Sequence, residues 1–248
     1  MYHKDFYIKK PIWNNEFSFD SRPHKQLYVP SLKKISSFSD IELLQKNEEK
    51  ITFEEYDFND VMQTCFGLEN LYEMTWQWKP MYLVDNHNHV HYFWYLARSE
   101  WIISDNTLLY HIDEHADTRD PWEYLLKPDS QDLQKIFDYT NFTLNVGNYI
   151  IPAEKEGLIW DTMQIRGQDA LEKYNSWYYS DLETAGRKII LNLDLDFFEP
   201  ELDFIDYDLK KQVILDIAKK ADLITVCTSP YFINQERALE VFRDIFDN

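Results

Sequence analysis

Short hydrophobic runs that end at an acidic or hydroxyl residue recur from residue 81 onward. Runs of this kind are typical of strands that are buried on both faces of a parallel sheet. They predict four strands, at Met81–Val84, Thr107–Ile112, Lys188–Leu193 and Leu223–Cys227. Hydrophobic residues at helical spacing lie between and after these runs and predict amphipathic helices. The predicted helices span His89–Ser99, Asp208–Lys220 and the stretch from an Asn234 cap through Phe246.

The alternation of strands and helices predicts the α/β class, with three α/β/α layers and a mostly parallel central sheet. We expect a single domain over residues 1–248, with its core at 80–248. Residues 1–79 would then be an N-terminal segment that recognises a substrate or covers one sheet edge. Within that segment, a capping box at Ser39 and Glu42 predicts the start of a helix, and a second helix is predicted from Asn59 to Met74.

The composition excludes several classes of protein. Hydrophobic residues make up 44% of the 248 residues and aromatic residues 17%, which excludes a disordered chain. The formal charge of −19 disfavours nucleic acid as a partner and favours cations or a basic substrate. The sequence has neither a signal-peptide pattern nor an apolar run long enough to span a bilayer, so we expect no membrane partner. Cys65 and Cys227 lie in separate apolar segments and are expected to be free thiols of a cytoplasmic protein.

Histidine and aspartate residues are concentrated directly after three of the predicted strands. In sheets of this class, ligands bind outside the carboxyl ends of the strands. After the second strand, Asp113, His115 and Asp117 alternate at a period of two, and after the third strand Asp194 and Asp196 repeat that spacing. On an extended chain such residues project to one side. The intervening Glu114 and Ala116 should therefore face away from the site.

The histidines around the first strand differ in their expected roles. His87 lies closest to the strand end and is the candidate ligand. His89 and His91 fall on the following helix and are expected to pack or to support the site. His111 lies inside the second strand, where a core or supporting position is expected.

Carboxylates at this spacing repel one another, and a divalent cation removes the cost of burying them. Carboxylate and imidazole ligands suit Mn²⁺, Fe²⁺ or Zn²⁺, and the absence of thiolates in these motifs disfavours a structural zinc site. The set exceeds what one ion usually takes, so we expect two ions roughly 3.5–4 Å apart with an activated water between them. A solvated strand end with capping aspartates is the alternative. The predicted metal ligands are His87, Asp113, His115, Asp117, Asp194 and Asp196.

These motifs resemble those of known hydrolases. The segments Asp113–Asp117 and Asp194–Asp196 resemble the D-x-H-x-D and D-x-D signatures of the arginase–deacetylase fold, the ureohydrolases in particular. His87 after Val84, Asn192–Phe198, Asn148–Ala153 and Thr228–Pro230 are similar to the UPF0489 family, whose bacterial members include peptide arginases. The resemblance covers roughly residues 80–240.

The resemblance implies a peptide arginase that uses two Mn²⁺ ions and converts arginine in a ribosomally made precursor peptide to ornithine and urea. Asp113 and Asp194 would bridge the ions. His87 and Asp117 would complete one ion, and His115 and Asp196 the other. Catalysis would depend on Asp113, His115 and Asp194 through the hydroxide held between the ions.

The chain also departs from the ureohydrolase pattern. Phe197-Phe198-Glu199 replaces the glycine-containing turn after D-x-D, and the loop glutamate that grips the guanidinium has no evident counterpart. Glu236, Glu199 and Asn148 are the candidate substrate contacts. Two alternatives remain open, namely a metal-dependent deacetylase of the same fold and a non-catalytic, metal-stabilised protein that binds basic peptides.

Overall fold

The computed structural model of the protein describes residues 1–12, 16–36, 40, 44–127, 129–175 and 186–247. The predicted helix start at Ser39 and Glu42 lies outside these residues. The strands are β1 (Phe6–Ile8), β2 (Leu27–Val29), β3 (Leu32–Lys34), β4 (Lys46–Tyr56), β5 (Met62–Leu68), β6 (Leu71–Trp76), β7 (Lys79–Val84), β8 (Thr107–Ile112), β9 (Ile159–Ile165), β10 (Ile189–Asp194) and β11 (Leu223–Cys227). The helices are α1 (Glu16–Phe19), α2 (His89–Ser99), α3 (Leu133–Phe142), α4 (Ile150–Glu156), α5 (Gln168–Asn175), α6 (Tyr207–Lys220) and α7 (Gln235–Phe246). Short 3-10 turns span Asp129–Gln131, Leu195–Phe198 and Pro200–Leu202.

A seven-stranded sheet forms the centre of the described molecule, in the order β3-β6-β7-β11-β10-β8-β9. Every neighbouring pair in it is parallel except β6 with β7. The four strands predicted from hydrophobic runs are β7, β8, β10 and β11, which are adjacent in the middle of this sheet. The mostly parallel sheet confirms the predicted α/β class.

Side chains alternate between the two faces of the central strands, as a pleated strand requires. Leu191 and Leu193 of β10 pack in one hydrophobic cluster with residues of α5, α6 and α7. Ile190 of the same strand packs in the other cluster with residues of α2, α3 and α4. The sheet is therefore covered by helices on both faces, which explains why its strands are continuous hydrophobic runs.

The predicted helices after residue 80 are confirmed as α2, α6 and α7. Asn234 caps α7 as expected, since its side chain accepts hydrogen bonds from the backbone of Glu236 and Arg237 at 2.9 and 3.2 Å.

The helix predicted from Asn59 to Met74 is wrong. That stretch contains β5 and β6 instead, and β5 pairs antiparallel with the eleven-residue strand β4. Pairing with a distant strand outweighs local helix preference, which is worth only tenths of a kcal/mol per residue.

Residues 1–79 form several small elements around the sheet. β3 and β6 extend the central sheet at one edge, while β1–β2 and β4–β5 are two-stranded antiparallel ribbons. The backbone oxygen of Thr52 in β4 accepts a hydrogen bond from Asn86, two residues after β7, at 3.3 Å. The β4–β5 ribbon therefore lies at the carboxyl end of the sheet. Among the described helices, we find none of the length and hydrophobicity needed to traverse a bilayer.

Candidate metal centre

The strands β7, β11, β10 and β8 end side by side, and the predicted ligands follow three of them. The six predicted metal ligands come together at this edge in two groups, one around His87 and one around His115. Sequence spacing therefore identified residues that the fold gathers from positions more than 100 apart in the chain.

The first group surrounds one atom, Nδ1 of His87. This atom lies 2.9 Å from a carboxylate oxygen of Asp194 and 3.2 Å from one of Asp113 and one of Asp117. His87 and Asp113 are fully buried, yet His87 Nδ1 and Asp113 Oδ2 form no hydrogen bond. Four ligand atoms thus converge on one point instead of pairing with one another.

The second group surrounds Nδ1 of His115. It lies 2.9 Å from Asp196 Oδ2 and 3.6 Å from Asp113 Oδ1. The two oxygens of Asp113 therefore face different groups, as a bridging carboxylate would. The His115 side chain is 40% exposed, whereas that of Asp196 is buried, so this group forms the open side of the centre.

Turns bring the ligands together, and the expected extended chain is absent. β8 ends at Ile112, and residues 113–115 bend, with the Asp113 carboxylate accepting a hydrogen bond from the His115 backbone. Asp117 has a φ of 52°, a left-handed conformation that costs a non-glycine residue about 1–3 kcal/mol. After β10, Asp194 Oδ1 accepts from the Asp196 backbone at 2.9 Å and starts a 3-10 turn. Ala116 lines the cavity of the centre, although alternation predicted that it would face away.

Asn192 is an important residue that the prediction did not assign to the site, and it orients both buried histidines. Its Oδ1 accepts from His87 Nε2 at 3.2 Å and from Thr225 Oγ1 at 2.8 Å. Its Nδ2 donates to His111 Nδ1 and to Tyr149 Oη, each at 3.0 Å. Because Nε2 of His87 donates to this amide, Nδ1 is the nitrogen that faces the three carboxylates, and it can offer its lone pair to a metal ion once a proton there is displaced. A polar residue inside the apolar run of β10, two positions before Asp194, was the available signal.

Charge repulsion in this cluster is strong without a cation. Burial lowers the pKa of His87, but the Asp194 carboxylate and its neighbours outweigh burial and raise that pKa well above its ordinary value. Burial and the charge of Asp113 raise the pKa of Asp117 to about 7. Burial opposes protonation of His115 as well, but its hydrogen bonds with Asp113 and Asp196 raise its pKa to about 11.

The donor set fits divalent metal ions. Buried groups of histidine with aspartate lie close enough to hold an ion at His87–His111–Asp113 and at Asp113–His115–Asp196. Three carboxylates around one imidazole nitrogen require a positive charge between them, which either a proton on Nδ1 or a bound metal ion can supply. The orphaned Nδ1 of His87 and Oδ2 of Asp113 are the atoms that such an ion would satisfy.

A cavity of about 470 Å³ opens onto the centre, a size usual for small-molecule sites. His87, His115, Asp117, Asp194 and Asp196 are exposed to it. One wall is aromatic and carries a carboxylate that the sequence did not indicate. That wall consists of Phe53, Glu55, Tyr231 and Phe232.

The other histidines have the supporting positions expected of them. The Nδ1 of His89 lies 3.0 Å from the hydroxyl of Tyr2, and Nδ1 of His91 lies 3.1 Å from that of Thr140. Burial lowers the pKa of each to about 3, so both are neutral. His111 Nε2 lies 3.2 Å from the backbone oxygen of His115 and supports the bend after β8.

The three candidate substrate contacts lie outside the cavity. Glu236 forms an ion pair with Lys46 at 2.6 Å, beside a separate open depression of about 730 Å³. Asn148 is fully buried and its Oδ1 accepts from the Asn145 backbone at 2.9 Å. Burial and the adjacent Glu114 raise the pKa of Glu199 to about 7. Glu114 Oε2 in turn lies 4.0 Å from His115 Nε2, so Glu199 is linked to the centre through Glu114.

Comparisons with known proteins give a distant structural likeness. The chain is similar to the crystal structure of Helicobacter pylori arginase, with 13% sequence identity and a TM-score of 0.36, over 67% of this chain and 71% of that one. A likeness of this size carries no argument about activity. No protein-family model matches the chain, and no curated protein does. Membership of a peptide-arginase family therefore stays a resemblance between motifs.

Proposed function

We propose that the protein is a dinuclear metal hydrolase that converts arginine side chains of a precursor peptide to ornithine and releases urea. The observation that carries the proposal is the convergence of three buried carboxylates on Nδ1 of His87, beside an open cavity. One ion would be held by His87, Asp113, Asp117 and Asp194. The other would be held by Asp113, His115, Asp194 and Asp196. Two divalent ions, Mn²⁺ in our proposal, would supply Lewis acidity and an activated water at this place.

Glu55 is the residue to which we assign the guanidinium contact. It lines the cavity without belonging to either ligand group, and its side chain is 12% exposed. Its carboxylate accepts from Ser18 Oγ at 2.9 Å and from the Tyr56 backbone at 2.8 Å, and its Oε2 lies 4.0 Å from the buried Arg22 guanidinium, which together fix its position. Carboxylates bind guanidinium through short, charge-assisted hydrogen bonds.

The aromatic side chains of the same wall suit a guanidinium as well. Phe53 and Tyr231 pack with their ring centroids 5.2 Å apart, and Phe232 lies 4.4 Å from the ring of His115. Planar cations stack on aromatic faces, and the rings exclude water from one side of the cavity. The net charge of −19 would draw a basic peptide toward the protein. We place the reaction in the cytoplasm, where the free thiols of Cys65 and Cys227 would stay reduced.

The first experiment is to measure the metal content of the purified protein and to incubate the Mn²⁺-loaded protein with arginine-containing peptides. These include any small peptide encoded beside its gene. The expected result is two ions per chain, a peptide mass lower by one CN₂H₂ unit per arginine, and released urea. Asp194→Asn should abolish all three, because it removes a carboxylate that we propose holds both ions. Glu55→Gln should keep both ions and raise KM.

The outcomes separate the alternatives. If the protein binds two ions and hydrolyses acyl-lysine peptides but no arginine peptides, the deacetylase hypothesis would replace the proposal. Binding of basic peptides without any turnover would indicate a binding protein. If the protein binds no divalent metal under any of these conditions, the proposal that it is a metal hydrolase is contradicted.

A further inference from the structure

Two arginine side chains, Arg119 and Arg166, line the same cavity as the metal centre. Both are exposed, and within the described residues neither guanidinium has a carboxylate within 4.0 Å. Arg166 Nε donates to the backbone oxygen of Glu114 at 3.0 Å, and its other nitrogens are free to bind. The chain has nearly twice as many acidic residues as basic ones, so a pair of uncompensated arginines at a cavity is a departure from its overall charge.

The strand order places the strands that precede these arginines on the other side of β10 from the strands near Glu55. Arg166 directly follows β9, and Arg119 lies on the loop after the neighbouring β8. Glu55 lies near the ends of β7 and β11, because Tyr231 after β11 donates its hydroxyl to the Tyr56 backbone at 2.8 Å. In the order β7-β11-β10-β8-β9, the two sides flank β10 and its Asp194 and Asp196. β9 is two strand spacings from β10, or roughly 10 Å.

We infer that Arg119 and Arg166 form a subsite for a carboxylate of the substrate, so that the cavity binds an arginine whose backbone side carries negative charge. With its guanidinium at the metal centre beside β10, an extended arginine residue would direct a carboxylate near its backbone toward the β9 side. Guanidinium groups bind carboxylates in bidentate geometry. The inference rests on the proposed function, since it adds a second recognised group to the same substrate.

Two sources could supply the carboxylate. One is the α-carboxylate of a C-terminal arginine, and the other is the side chain of an acidic residue that follows the arginine. Three peptides of otherwise identical sequence distinguish them. The first ends in arginine with a free carboxylate, the second ends in Arg-Glu-amide, and the third ends in Arg-Gln-amide and has no carboxylate at this end.

The experiment measures kcat, KM and the calorimetric Kd of these peptides with the Mn²⁺-loaded protein. One of the two carboxylate peptides should have a kcat/KM on the order of tenfold higher than that of the neutral peptide, because its KM is lower. It should also bind more tightly by a similar factor. The preference should shrink as ionic strength rises. The double variant Arg119→Ala/Arg166→Ala should lose the preference and keep its kcat, while the double lysine variant retains part of it. Arg119→Glu should shift the preference toward Arg-Lys-amide.

Arg187→Ala is the matched control. The Arg187 guanidinium stacks on Trp160 at 3.9 Å, at the amino ends of the strands and away from the cavity, so the preference should persist. Equal kcat/KM for all three peptides would overturn the inference and leave the proposed function standing. If no peptide is hydrolysed, the proposed function is contradicted, and the Kd values then test the carboxylate subsite. Tighter binding of a carboxylate peptide that depends on both arginines supports the subsite, and equal or absent binding overturns it.

Discussion

Asn192 occupies all four hydrogen-bonding positions of its amide, between His87, His111, Thr225 and Tyr149. This arrangement decides which nitrogen of His87 carries a proton, and so whether Nδ1 can bind a metal ion. The uncharged side chain of Asn192 thereby controls which nitrogen of His87 faces the carboxylates. Supporting partners of this kind commonly change metal affinity by 10–100-fold.

Asn192→Ala is therefore expected to weaken metal binding by about 10–100-fold. It should also lower the free energy of unfolding by about 2–4 kcal/mol, because several buried polar groups lose their partner. Competition with a fluorescent chelator measures the affinity, and urea unfolding measures the stability. Thr225→Val is the control, since it removes one hydrogen bond to Asn192 and none to His87. Wild-type metal affinity in Asn192→Ala would show that His87 does not depend on this amide.

Asp85 is a buried residue whose set of hydrogen-bonding partners, unlike that of Asn192, is incomplete. It is fully buried directly after β7, its Oδ1 accepts from the Asn86 backbone at 2.8 Å, and its Oδ2 has no hydrogen bond. Burial raises its pKa from 3.8 to about 7. A carboxyl whose pKa is raised by folding stabilises the protein below its unfolded pKa, and that contribution is lost as pH rises toward the folded pKa.

Asp85→Asn should therefore stabilise the metal-free protein by an amount that grows between pH 4 and pH 7 and is constant above. Near pH 8 we expect a gain of up to about 4 kcal/mol, from about 1.4 kcal/mol per unit of pKa difference. Thermal unfolding at a series of pH values measures the difference. Asp216→Asn, at an exposed position on α6, is the control. A gain that is independent of pH would exclude ionisation of Asp85 as the cause.

At the scale of elements, the turn that carries Asp196 is held from behind by α6. The buried ammonium of Lys210 donates to the backbone oxygens of Phe197 and Leu202 at 2.8 and 2.9 Å. It also lies 4.9 Å from the ring centroid of Phe197 and 5.0 Å from that of Phe198. The side chain therefore joins the two 3-10 turns after β10 to the helix that covers them.

Lys210→Met keeps the length of the side chain and removes its donors. Two buried carbonyl oxygens would lose their partner, so we expect a loss of about 1–3 kcal/mol in the free energy of unfolding. Metal bound through Asp196 should also become weaker. Denaturant unfolding and metal titration measure the two effects, and Lys211→Met, at a more exposed position on the same helix, is the control. An unchanged unfolding midpoint would show that the turns hold their shape without Lys210.

The burial and pairing of these elements explain which parts of the fold and of the candidate site could be predicted from the sequence. The strands β7, β8, β10 and β11 were recognisable because each is buried on both faces and therefore hydrophobic along its whole length. The candidate ligands were recognisable because they follow those strands. Glu55 was not, because β4 reaches the cavity through its pairing with β5 and its contacts with Asn86 and Tyr231, and no local pattern encodes these contacts. The bend at residues 113–117 was also missed, since alternation in sequence does not distinguish an extended chain from successive turns.

At the scale of the whole molecule, the metal centre links stability to both metal and pH. Without a cation, the carboxylates hold protons on His87 and His115, with the pKa of His115 raised to about 11. Asp117, whose pKa is raised to about 7, also binds a proton in the lower half of the neutral range. A metal ion must displace these protons, so its apparent affinity rises with pH across the neutral range.

The expected result is that Mn²⁺ raises the melting temperature more at pH 8 than at pH 6. Ligand present at 100 times its Kd stabilises a protein by about 2.7 kcal/mol, and each proton released changes the binding free energy by about 1.4 kcal/mol per pH unit. Calorimetry in buffers of different ionisation enthalpy counts the released protons, and chelator should reverse the stabilisation. Asp194→Asn, which removes a carboxylate that we propose holds both ions, is the control. Its melting temperature should respond weakly to Mn²⁺ at either pH. Equal melting temperatures with and without Mn²⁺ at both pH values would contradict the assignment of this cluster as a metal centre, because no cation would then be relieving the repulsion around His87.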